Sequence, residues 1–130
     1  MAKVPRRIRR PTSFPRCGSV YYIQFDPALG REIRKMRPAV VVSNDHMNEL
    51  AETIFVMPIT GGSYQYFHWI ALLPPEGGLT KPSSIVTEQI RAIDKVRIGR
   101  RLGAVSAQTI GMIEDAIRDH CGLPEGRVLP

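Results

Sequence analysis

Five short runs rich in β-branched and aromatic residues constrain this chain most: Ser19 to Phe25, Ala39 to Ser43, Thr53 to Ile59, Phe67 to Leu73 and Ser84 to Ile90. Each has the length of a strand. The segments between them, DPALGREIRKMRP, NDHMNELAE, TGGSYQY and PPEGGLTKPS, are loaded with Gly, Pro, Asn and Asp. They are too short for the crossover helices of a parallel sheet, so the strands are expected to pair antiparallel, with at most one helical turn over Asp45 to Ala51. The run IGRRLGAV adds a last strand. Only the C-terminal part has helical periodicity. Ile110, Ile113, Ile117 and Cys121 recur at spacings of three and four, Ser106 stands as N-cap, and Gly122 and Pro124 stop the helix. One helix over a curled sheet predicts a mainly β (α+β) fold, a small β-barrel that manages its strand edges by curling and covering them.

A chain of 130 residues can bury the core of one domain without metal or disulfide staples. Cys17 and Cys121 have neither CxxC spacing nor a preceding signal peptide, which fits a reducing cytoplasm. No apolar run reaches membrane-spanning length, so no membrane association is expected. The formal charge of +6 is concentrated at one end. Lys3, Arg6, Arg7, Arg9, Arg10 and Arg16 face no acid before Cys17, and the remaining cations equal the acids in number. Residues 1–16 therefore form a basic arm, kept irregular by Pro5, Pro11 and Pro15. It is either a solvated tail or a salt-sensitive contact with phosphates. The folded domain spans 17–123, followed by a tail over 124–130.

Within the domain the stretch REIRKMRPAVVVSND joins a cationic loop to a buried valine strand. Arg37, directly before Pro38, is held extended, which positions its guanidinium to meet a phosphate; pairing with Glu32 or Asp26 is the plainer alternative. Thr60 ends its strand beside Gly61 and Gly62. In EQIRAIDKVRIGRR, strand alternation would put Glu88 and Ile90 on one face with Gln89 and Arg91 on the other, a mixture suited to gripping single-stranded nucleic acid. His46, His68 and His120 have no metal-ligand spacing, and His68 could be a general base on a strand, though such a histidine is more often structural or exposed. No Walker, GxSxG or dinucleotide motif is present.

The segments GSVYYIQFDPALGREIRKMRPAVVVSND, TIFVMPIT and SSIVTEQIRAIDKVRIGRRLG, in that order, resemble the MazF/PemK family of toxin endoribonucleases over about Gly18 to Leu123. The resemblance implies an SH3-like barrel of the MazF/CcdB/Kid type and a homodimer. It also implies metal-independent, sequence-specific cleavage of single-stranded RNA without a cofactor, and an antitoxin whose disordered C-terminal tail blocks the RNA groove. It makes Arg37 and Thr60 the catalytic pair, with Glu32 and Glu88 as acid–base candidates. Arg34, Lys35, Ser43, Asn44, Gln89 and Arg91 are the RNA-binding candidates, and Val86 stands where some members carry an arginine, so an Arg/Asp arrangement does not transfer.

Cleavage without a metal would use the RNA's own 2′-hydroxyl as nucleophile, with a base to take its proton and a cation to stabilise the phosphorane. Tyr64, Tyr66, Phe67 and Trp69 are candidates for stacking on bases, and the cationic loop is expected to act as a lid ordered by RNA or antitoxin. Two other classes share the barrel: a CcdB-like toxin that traps DNA gyrase through its C-terminal helix, and a non-catalytic RNA-binding barrel.

Overall fold

The computed structural model describes residues 14–62 and 66–124. The basic arm up to residue 13, Tyr64 and the tail beyond Pro124 lie outside these. Seven strands, β1 (Ser19–Gln24), β2 (Met36–Val41), β3 (Thr53–Gly61), β4 (Ile70–Leu72), β5 (Ser83–Ile85), β6 (Arg91–Asp94) and β7 (Ile98–Ala104), are joined by α1 (Asp45–Leu50) and followed by α2 (Ala107–Cys121). Every pairing is antiparallel. The sheet runs β4-β5-β3-β2-β1-β7, with β6 also on β3.

Two apolar clusters fill its two faces, because β3 serves both. Ile54 and Val56 join Ile23, Phe25, Ala39, Val41 and Ile93 in one cluster. Met57 and Ile59 join Val20, Val40, Ile70, Leu72, Ile85 and Ile113 in the other, onto which α2 packs through Ile110 and Ile117. Ser106 caps α2 by accepting from the Thr109 amide at 3.1 Å, and Gly122 ends it in the left-handed conformation at φ 66°. Cys121, expected on the buried stripe, is exposed in the last turn of α2.

The expected strand over Ser84 to Ile90 is broken. Three steps along β3, from Ile59 to Val56, correspond to six along the facing chain, from Ile85 to Arg91. The surplus residues, Thr87–Gln89, form a 3₁₀ turn that stands out of the ladder. The break falls at Pro58, whose carbonyl accepts from the Val86 amide at 2.8 Å but which has no N–H to return. The alternation expected for Glu88 to Arg91 therefore does not hold, and β6 begins where the ladder resumes. Two other strands shift in the same way. β2 starts at Met36 because β1 is long enough to pair Gln24 with it, and β4 is only Ile70–Leu72 because residues 66–69 make a turn, with the Trp69 amide on the Tyr66 carbonyl at 3.0 Å.

β4 and β7, the ends of the sheet, meet through a turn rather than a ladder. The 3₁₀ turn Glu76–Gly78 lies directly on β7. A Cβ on Gly78 would sit 1.9 Å from the Leu102 carbonyl oxygen, and one on Gly103 would sit 2.7 Å from the Gly78 nitrogen. Two glycines thus let backbone touch backbone and bring the sheet to a barrel-like curl. Glu76 locks the same turn to α2, accepting from the Ser106 amide at 2.9 Å and from the Thr109 hydroxyl at 2.6 Å.

Candidate functional site

The 3₁₀ turn at Thr87–Gln89 and the β1–β2 loop enclose a groove of about 350 Å³ bordered by Phe25, Glu32, Pro58, Glu88, Gln89 and Arg91. Gln89 ties the two walls together. Its Oε1 accepts from the Ile33 amide at 2.7 Å and its Nε2 donates to the Arg31 carbonyl at 3.3 Å. The loop expected to act as a lid is therefore docked by a residue expected to face RNA. Glu32 is turned on its own loop, its Oε1 accepting from the Leu29 amide at 2.8 Å. The Arg91 guanidinium lies 5.6 Å from the Phe25 ring centre, near enough for a cation–π contact.

Glu88 is held differently. Its Oε1 accepts from the indole N–H of Trp69 at 2.9 Å and faces His68 Nε2 at 3.0 Å. Thr87, one residue earlier, donates its hydroxyl to the His68 carbonyl at 2.8 Å, and since that hydroxyl has one proton, His120 Nε2 at 2.8 Å must be the donor to it. The turn, the segment before β4 and the end of α2 are thereby fastened around one carboxylate.

On the opposite face, β1, β2, β3, β7 and the β4–β5 loop border a second cleft of about 390 Å³, with Tyr22, Arg37, Lys81, Ser83 and Arg100 among its walls. No carboxylate lines it. Arg100 lies over the Tyr22 ring, 5.4 Å from its centre, and Arg37 Nε donates to the Arg34 carbonyl at 3.1 Å. The β2–β3 ladder ends at the pair Ala39–Pro58, and Arg37 and Thr60 each lie two residues beyond it on their own strands. Thr60 pairs with Ser84 of β5, whose hydroxyl is buried without a hydrogen-bond partner among the described residues.

In the ladders Arg37 pairs with Ile23 of β1 and Thr60 with Ser84 of β5. Glu32, Glu88, Gln89 and Arg91 gather at the other groove, and Arg37 borders the cationic cleft. Arg34 and Lys35 are exposed in the loop, with Lys35 at φ 67°. Ser43 and Asn44 are not brought to either cleft. Ser43 is buried, bonded to the Asn48 side chain and accepting from the Phe55 amide, and Asn44 caps α1 by accepting from the Met47 amide. Lys81 and Tyr22 carry no functional signal in the sequence: Lys81 lies in a segment marked only by turn residues, and Tyr22 in a run that marks only a strand. Arg100 belonged to a basic run whose direction alternation alone did not fix.

Among the described residues no three His, Cys, Asp or Glu side chains gather to hold a metal. No helix among them is long and apolar enough to cross a membrane.

A small curled antiparallel sheet with a cation-lined cleft on one side and an oriented carboxylate at a second groove carries the charge to attract a polyanion. Residues 16–121 match the family described as PemK-like, MazF-like toxin of type II toxin-antitoxin system, and the chain belongs to that family. It is 35% identical over 114 residues to Endoribonuclease MazF9 of Mycobacterium tuberculosis (strain ATCC 25618 / H37Rv), covering 83% of this chain and 97% of that one. The fold is shared with the crystal structure of MazF (Form-I) from Deinococcus radiodurans, at TM-score 0.76 and 21% identity, covering 85% of this chain and 99% of that one. It is also shared with an endoribonuclease in complex with its cognate antitoxin from a mycobacterial species, at TM-score 0.70 and 24% identity, covering 86% and 99%.

Proposed function

We propose that this toxin is an endoribonuclease that cuts single-stranded RNA through the RNA's own 2′-hydroxyl, with Arg37 and Thr60 at the scissile phosphate. The observation that carries the reading is the cleft that Arg37 shares with Lys81 and Arg100, with Ile59 and Gly61 on either side of Thr60 in its wall, in a chain 35% identical to a protein named an endoribonuclease. Arg37 stabilises the extra charge of the phosphorane, as a guanidinium suits two phosphate oxygens at once. Thr60 positions a phosphate oxygen through its hydroxyl. Glu88 takes the 2′-hydroxyl proton, since Trp69 and His68 orient its carboxylate whereas Glu32 is occupied within its loop. The 2′-oxygen bonds to phosphorus as the bond to the 5′-oxygen breaks, and the departing 5′-oxygen takes a proton from water, leaving a 2′,3′-cyclic phosphate and a 5′-hydroxyl.

The protein works in the cytoplasm as a homodimer, and its partner is an antitoxin whose disordered tail folds over the RNA groove. RNA or that tail displaces the β1–β2 loop from Gln89. A substrate carrying hydrogen in place of the 2′-hydroxyl at the mapped cut position should resist cleavage there; cutting that persists would rule this chemistry out.

A further inference from the structure

The cationic cleft is built by the contact that curls the sheet. Gly78 on the Leu102–Gly103 backbone brings the β4–β5 loop, and with it Lys81, beside β7, which carries Arg100. Both side chains are presented deliberately. The Ser83 hydroxyl donates to the Lys81 carbonyl at 2.9 Å and so fixes the loop, and the Tyr22 ring lies under the Arg100 guanidinium. Arg37, Lys81 and Arg100 share this cleft, and none is in an ion pair with a described residue. Three like charges in one cleft raise a positive potential that an anion relieves, and a phosphodiester fits both charge and donor geometry.

We propose that Lys81 and Arg100 form a phosphate-gripping subsite that holds the RNA strand next to the scissile phosphate at Arg37. The subsite rests on the endoribonuclease reading for its substrate. Both are positioning residues: they fix the strand's register through its backbone and carry no base preference.

The test is the salt dependence of binding to a short mixed-sequence 2′-O-methyl oligoribonucleotide, which keeps the phosphates but offers no nucleophile. Lys81→Gln and Arg100→Gln, both at exposed positions, should each lower the slope of log affinity against log salt by about 0.7, the value of one phosphate contact on a single strand. Arg100→Lys should keep the slope, and so should Arg118→Gln, which removes a charge on α2. With cleavable RNA, the two Gln variants should raise KM and leave kcat near the wild-type value, unlike Arg37→Ala. Wild-type slopes in both folded variants would overturn the subsite. So would weaker binding of polyglutamate with unchanged oligonucleotide binding, which would assign the cleft to an acidic protein segment. If wild-type protein bound but did not cut RNA, the nuclease reading would fall while the slopes still judged the cleft.

Discussion

The proposed reaction divides its proton chemistry unevenly between two carboxylates. Glu88→Gln keeps the shape and the Trp69 contact but removes the proposed base, so kcat should fall about a hundredfold or more. Glu32→Gln should change it little. Steady-state cleavage of one defined RNA by both variants checks the assignment, and the reverse ranking would move the base to Glu32. Glu76 does structural work. Burial pushes its carboxyl up, but the Ser106 amide and the Ser106 and Thr109 side chains outweigh this and hold it below the ordinary carboxylate range. Its folded-state value being the lower one, its contribution is complete above the unfolded value, near 4.3, and is lost as pH falls through the folded one. Glu76→Gln should therefore cost about 1 kcal/mol at neutral pH, with the gap to wild type closing in acid. Denaturant melts at the two pH values measure it.

At the scale of elements, the sequence made the strands legible and hid how they are interrupted. Alternation and turn chemistry located β1, β3, β7 and α2, whose caps at Ser106 and Gly122 are local in sequence. The 3₁₀ turn at Thr87–Gln89 was not legible, because its cause, the missing N–H of Pro58, lies on another strand. The same separation hid the cationic cleft. Lys81 meets Arg100 only because Gly78 permits backbone contact with β7, a relation with no local signature. Ser43 and Asn44 failed as RNA contacts for the converse reason: residues that suit ligand binding also suit locking the β2–α1 corner. Gly78→Ala must relieve both the contact with Leu102 and a positive φ, and should cost about 2–4 kcal/mol, read from thermal or urea unfolding. Gln89→Ala should leave the β3 core amides unchanged and speed hydrogen exchange at Ile33, whose N–H it releases.

As a whole, the molecule carries two grooves, one bordered by Arg37, Lys81 and Arg100 and the other by Glu32, Glu88, Gln89 and Arg91, and the proposed reaction draws on both. The net charge of +6 adds long-range attraction for RNA, weakened by salt. The proposed homodimer should scatter light as twice the 14.6 kDa chain. The most direct measurement is incubation of purified protein with a long mixed-sequence single-stranded RNA in excess chelator, beside Arg37→Ala, with cut positions and end groups mapped. Cuts at one short recurring sequence, ending in cyclic phosphate and 5′-hydroxyl and lost in the variant, are the predicted result. Intact RNA after incubation with well-folded wild-type protein would contradict it.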